Sequence, residues 1–264
     1  MDVFLRNNIK ITGRTDKPLI VFAHGYGCDQ NMWRFVAPAF EDDFQVLTFD
    51  HVGSGKSDVS AYDFEKYDSL SGYALDIIEF LEVLNAKEVI FIGHSVSAMI
   101  GALVAVERPG LLGKLIMVGP SPCYINDADY YGGFDKEDIV EMIETLEQNY
   151  LGWASHITPV ITGRPDKPEI AEELENSFCQ NKPDIAKHFA KVTFTGDNRG
   201  DLPKIKASTL IIQCDPDIIA PKKVGEYVHE QIPNSVLKII PSPGHCPHLT
   251  SPEQTIKVIK SFLA

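Results

Sequence analysis

Val89-Ile90-Phe91-Ile92-Gly93-His94-Ser95-Val96-Ser97-Ala98-Met99-Ile100 is the stretch on which the fold turns. Its first four residues form a continuous, mostly β-branched apolar run. That pattern predicts a strand covered on both faces, as in a parallel sheet. The residues from Ser97 to Glu107 predict a helix that stops before Pro109. Between them, Gly93-His94-Ser95-Val96-Ser97 marks an abrupt strand-to-helix turn. A turn of this kind holds its serine in a strained conformation with the hydroxyl exposed. It needs small residues two before and two after the serine, so that strand and helix can approach. Ser95 is therefore the candidate nucleophile, and Ser97 stands where the motif ordinarily has glycine.

Outward from this point, strand and helix patterns alternate. Leu19–Phe22, Val46–Phe49, Leu115–Val118, Thr209–Gln213 and Val236–Ile240 read as further strands. Leu70–Leu84 reads as an amphipathic helix, with Tyr73, Ile77, Phe80, Leu81 and Leu84 on its apolar face and Asp76, Glu79 and Glu82 opposite. Helices near Lys222–Glu230 and Pro252–Leu263 continue the alternation, which predicts βαβ units and a mainly parallel sheet. The pattern breaks from Tyr124 to Phe194. No strand-like run occurs there; helical stretches at Lys136–Asn149, Pro168–Gln180 and Asp184–Val192 are punctuated by aromatic residues. The organisation predicted is one α/β core split in sequence, 1–123 and 195–264, with a helical cap at 124–194.

The chain has 264 residues, long enough to bury a large core without disulfide staples. Its apolar fraction of 44% excludes disordered and collagen-like classes. With 24 basic and 37 acidic residues the net charge is −13, and no basic cluster exceeds the pair Lys222-Lys223. Nucleic acid and anionic membrane surfaces are therefore not expected partners. Five scattered cysteines without a C-x-x-C read as free thiols, and no apolar leader is visible, so the cytoplasm is the expected location. The apolar run from Val89 to Val106 contains Gly93, His94, Ser95 and Ser97 and makes a poor membrane span.

A serine nucleophile needs a base, a carboxylate to orient that base, and donors for the oxyanion. His24-Gly25-Tyr26-Gly27 directly follows a strand, where a loop of this type supplies one oxyanion N–H. The second N–H comes from the residue after the nucleophile, so Tyr26 and Val96 are the expected main-chain donors. Of eight histidines, His229, His245 and His248 follow in the required order Ser…Asp…His. His229 reads as an exposed helix residue; His245 and His248 share one loop after a strand, and position favours His245 while leaving both open. Asp215 and Asp217 both end the preceding strand. Asp215 precedes Pro216 and suits a turn, which leaves Asp217 as the orienter. Gly53-Ser54-Gly55-Lys56-Ser57 lacks the spacing of a phosphate-binding loop. No cluster has metal-ligand spacing, so neither metal nor cofactor is expected.

Taken together, several segments resemble the α/β-hydrolase subgroup that contains the bacterial stress regulator RsbQ. They are His24–Gln30, Asp50-x-Val52-Gly53-Ser54-Gly55, Gly93–Met99, Val118–Tyr124, Tyr131–Phe134, Asn149-Tyr150-x-Gly152-Trp153-Ala154, Gln213-Cys214-x-x-Asp217–Pro221 and Gly244–His248. The Ser-Val-Ser elbow is also similar to that of the plant karrikin and strigolactone receptors. The resemblance implies an α/β-hydrolase fold with a mostly parallel eight-stranded sheet and an inserted four-helix cap. It implies a triad of Ser95, Asp217 and His245. It also implies a small apolar pocket, for which Tyr26, Tyr124, Phe134, Trp153, Ile157, Phe189 and Phe194 are the expected lining. The expected ligand is a small apolar ester or lactone, and the expected partner is a PAS-domain phosphatase that activates a general-stress sigma factor.

Overall fold

The computed structural model describes residues 2–264. Seven strands form one sheet: β1 (Lys10–Gly13), β2 (Leu19–Ala23), β3 (Gln45–Thr48), β4 (Val89–His94), β5 (Leu112–Val118), β6 (Ser208–Cys214) and β7 (Ser235–Ile240). Their order is β1-β3-β2-β4-β5-β6-β7; β1 runs antiparallel to β3 and every other pairing is parallel. Among the described residues ten α-helices accompany them: α1 (Val3–Arg6), α2 (Leu70–Val83), α3 (Val96–Glu107), α4 (Lys136–Gln148), α5 (Tyr150–Thr162), α6 (Pro168–Gln180), α7 (Pro183–Thr195), α8 (Lys222–Gln231), α9 (Pro247–Thr250) and α10 (Pro252–Leu263).

The chain steps from β2 outward to β3 and then crosses back to β4 on the other side of β2. This reversal opens a crevice above the carboxyl ends of β2 and β4, the place where parallel sheets receive ligands. Strands β2 and β4 are buried almost throughout because helices cover both faces, as their unbroken apolar runs require. One core layer packs α2 and α3 against Val21, Leu47, Phe91 and Leu115. The other packs Trp33, Phe40 and α10 against Ile20, Ile92, Ile116 and Ile212.

Four helices, α4 to α7, lie between β5 and β6 and form the cap. The sheet has seven strands among the described residues, one fewer than the eight expected. Residues 2–9, ahead of β1, join no strand; Asp2 caps the helical turn α1, its carboxylate accepting from the Phe4 N–H at 2.9 Å. Besides the single turns α1 and α9, two elements escape a reading of periodicity. β1 has only four residues, three of them exposed, and α5 carries Gly152 and Pro159 in its interior. Helix α5 starts under the Asn149 side chain, which accepts from the Gly152 N–H, and ends at Gly163 in the left-handed region.

Asp76 also departs from expectation. It is buried, not solvated: the Arg6 guanidinium lies 3.2 Å away, the Tyr67 hydroxyl donates to it at 2.7 Å, and the Lys66 ammonium caps it. Its charge ties α1 and the segment before α2 to the main core. Removing one member leaves buried charge uncompensated. Asp76→Ala should therefore lower the unfolding free energy by about 3–5 kcal/mol, read as a shift in urea midpoint. A shift below 1 kcal/mol would mean the cluster is solvated.

Candidate active site

The turn between β4 and α3 places Ser95 at φ 55°, ψ −121°, a conformation that L residues rarely adopt. Gly93 makes it possible: a Cβ there would lie 2.3 Å from the Ser97 carbonyl oxygen. The strain lifts the Ser95 hydroxyl above the sheet, where it donates to His245 Nε2 at 2.8 Å. On the far side of the ring, His245 Nδ1–H donates to Asp217 Oδ2 at 2.7 Å. Asp217 is held in turn by the Ile219 and Ala220 N–H groups, at 2.9 and 3.1 Å on its other oxygen. Of the paired candidates, Asp215 is exposed. His248 is buried between Trp33 and His94, its ring centroid 4.7 and 4.4 Å from theirs, and makes no contact with Ser95 or Asp217. His229 is exposed on α8.

Val96 follows the serine directly in sequence, and Tyr26 lines the same cavity as Ser95. Val96 opens α3, so its N–H has no intrahelical acceptor, and neither this N–H nor that of Tyr26 donates to the protein among the described residues. The loop carrying Tyr26 is pinned from the cap. Its ring hydroxyl donates to the Ala186 carbonyl at 2.9 Å, while Ser177 and Asn181 both donate to the Gly27 carbonyl, at 3.0 and 3.1 Å. Gly27 has φ +73° and lies flat under Phe178, where any Cβ would strike the ring at 2.3 Å. The loop of His245 is also tied to the cap, its N–H donating to the Ile161 carbonyl at 2.7 Å.

An apolar cavity of about 100 Å³ opens from Ser95 and His245 toward the cap. Of the expected lining, Tyr26, Tyr124, Phe134, Trp153, Ile157 and Phe194 face it. Phe189 does not: it stacks on Tyr73 at 4.3 Å and sits behind Tyr26, filling the layer between cap and core. Met142, Ile161, Leu174, Phe178, Ile218, Ile219, Cys28, Cys246, His94 and Thr193 complete the wall. Most of these are aliphatic or sulfur-bearing, so a search for aromatic residues passes over them. Adjacency would have found Cys246, beside His245, and Ile218, beside Asp217. Burial pushes the Tyr124 hydroxyl up to about 12 and the Tyr26 hydroxyl well above its ordinary range, so both are uncharged. No group of three or more His, Cys, Asp or Glu side chains among the described residues is arranged to hold a metal ion. The five cysteines are free, and among the described residues no helix is long and apolar enough to cross a membrane.

This fold and this elbow define a family. Residues 20–258 match the α/β hydrolase family, and the chain belongs to it. A karrikin insensitive 2 receptor from Petunia hybrida is 38% identical over 96% of this chain and 94% of its own. A strigolactone esterase from Arabidopsis thaliana is 32% identical over 97% and 96%. Among solved structures, a hydrolase from Oleispira antarctica superposes with a TM-score of 0.96 at 42% identity, covering 99% of this chain and 96% of that one.

Four histidines at and behind the site, His24, His51, His94 and His248, are buried, and burial holds each below its ordinary value of 6.5; for His248 the value falls to about 3. They stay neutral in the fold while the unfolded chain takes up protons. Stability is therefore full above pH 6.5 and falls as pH drops from there toward the folded-state values, by up to about 1.4 kcal/mol per pH unit for each histidine. Urea unfolding at pH 7.5, 6.5 and 5.5 should show the unfolded chain binding more than one extra proton at the acidic end. A flat profile would mean that these rings are charged or solvated in the fold.

Proposed function

We propose that this protein is a serine hydrolase acting on a small apolar ester or lactone. The observation that carries this reading is the unbroken hydrogen-bonded chain from Ser95 through His245 to Asp217 beneath an enclosed apolar cavity. In the proposed reaction the Ser95 oxygen attacks the substrate carbonyl while His245 Nε2 takes the hydroxyl proton. Asp217 holds the ring in the tautomer that accepts at Nε2, and it balances the imidazolium that forms. The Tyr26 and Val96 N–H groups bind the oxyanion. His245 then protonates the leaving alkoxide; in a lactone this oxygen stays tethered to the acyl group. Water, deprotonated by the same ring, releases the acid and restores Ser95.

The cavity wall is almost wholly apolar, so shape sets selectivity, and each methylene more or less is worth about 1–3 kcal/mol. Ser95→Ala and His245→Ala should each lower kcat on 4-nitrophenyl acetate by at least about a thousandfold, and the double variant by little more, because the two residues act as a unit. Wild-type turnover in Ser95→Ala would refute the assignment.

The motif set supports a finer reading: an RsbQ-like regulator in the cytoplasm whose pocket processes a small apolar signal and whose cap presents a surface to a PAS-domain phosphatase. Relatives named as receptors and as esterases support a signalling hydrolase in general. The purified protein should retain a PAS-domain phosphatase from its host, and a stress-reporter strain carrying Ser95→Ala should lose its response. Normal signalling from Ser95→Ala would restrict the role to ligand binding. Repeated failure to retain the phosphatase would leave a metabolic esterase or lactonase.

A further inference from the structure

The elbow carries serine at position 97, and its hydroxyl is fully committed. Ser97 Oγ donates to the His24 carbonyl oxygen, which can only accept. Its one proton is thereby used, so the 2.6 Å contact with His51 Nε2 is a donation from the ring to Ser97. The His51 main-chain N–H donates to His24 Nε2 at 3.1 Å, and His24 Nδ1–H turns back to the Gly25 carbonyl at 2.8 Å. A closed, buried ring of hydrogen bonds thus joins the first turn of α3, the loop after β2 and the loop after β3. Ser97 and His24 are fully buried and His51 is 1% exposed.

This ring has a consequence for the oxyanion donors. Val96 is one residue before Ser97, and Tyr26 is two residues after His24. The ring therefore ties the two segments that carry the donors, at a point directly behind them. From the other side, the cap holds the Gly27 carbonyl. The Tyr26 amide is bracketed between two fixed carbonyls. Gly25, in between, lies against the His94 ring, where a Cβ would come within 2.6 Å.

We infer that Ser97 is a positioning residue for the oxyanion hole, and that His51 acts with it: together they set the spacing of the Tyr26 and Val96 N–H groups. The inference rests on the hydrolase reading of Ser95. An elbow glycine permits close approach of strand and helix; serine here adds a cross-link that glycine cannot make.

The test uses wild type, Ser97→Ala, Ser97→Gly, His51→Phe and the Ser97→Ala/His51→Phe double variant, with Ser95→Ala as control. Turnover of 4-nitrophenyl acetate is measured beside inhibition by a short-chain trifluoromethyl ketone, which forms a tetrahedral oxyanion on the nucleophile. Binding of the corresponding methyl ketone reports the pocket alone. The single variants should lose about ten- to a hundredfold in kcat with KM within about twofold, the scale expected for misplaced rather than deleted donors. Trifluoromethyl ketone affinity should fall by a comparable factor while methyl ketone affinity holds. The double variant should lose no more than about twofold beyond the worse single variant.

Should Ser97→Ala fail to fold, Ser97→Gly and His51→Phe carry the same comparison. Unchanged kcat and trifluoromethyl ketone inhibition in the folded variants, with Ser95→Ala inactive, would overturn the positioning role alone. Equal losses for both ketones would do the same, since they would report general damage to the pocket. Wild-type activity in Ser95→Ala would instead remove the hydrolase reading.

Discussion

The close approach of α3 to β4 at Gly93 is the constraint on which the site depends. With no Cβ at that position, the Ser97 carbonyl can lie against the strand, and the chain can turn through Ser95 at φ 55°. Everything above the sheet is referenced to this turn. His94 sends its ring back to hold the His245 carbonyl at 2.8 Å, Ser95 meets the same histidine's side chain, Val96 offers its N–H, and Ser97 holds the His24 carbonyl. Four consecutive residues thus organise the proposed base, the proposed nucleophile and both sides of the proposed oxyanion site.

The cap does more than roof the cavity. It holds the Tyr26 loop at Gly27 through α6 and at the Tyr26 hydroxyl through α7, and it holds the His245 loop through the end of α5. Gly163 and Gly244 lie in contact there, and a Cβ on either would enter the other segment's backbone. Cap and core therefore share the geometry of the site, not only its walls. A displacement of α5 or α6 would be felt directly at His245 or at the Tyr26 loop, because these contacts are hydrogen bonds and glycine-sized gaps with no slack.

Much of this was legible beforehand. Six of the seven strands, the helices at Lys136–Gln148 and Pro168–Gln180, and the elbow follow from periodicity and from the punctuation of glycine and proline. What escaped has identifiable causes. Helix α5 hides its pattern behind Gly152 and Pro159, and its start depends on an Asn149 cap rather than on propensity. Asp76 looks like a solvated helix residue until α1 brings Arg6 over it. Phe189 has the composition of a pocket residue, but Tyr73 claims its ring.

The sequence alone determined the strand–turn–helix around Ser95 and the order in which nucleophile, carboxylate and base candidates follow. The turn is encoded by residues within about ten positions of one another, where sterics and hydrophobic period act locally, and the order is read directly off the chain. Only the tertiary structure decided which candidates meet. Ser95 and His245 are 150 positions apart, and the reading of His248 as a packed ring between Trp33 and His94 depends on contacts from two other parts of the chain. The same holds for Ser97, whose hydroxyl looks like an imperfect glycine in the motif. Its partners, His24 and His51, lie 73 and 46 positions away. Hydrogen bonds are directional and reach about 3 Å, so a pairing across such separations exists only once the sheet has set its register.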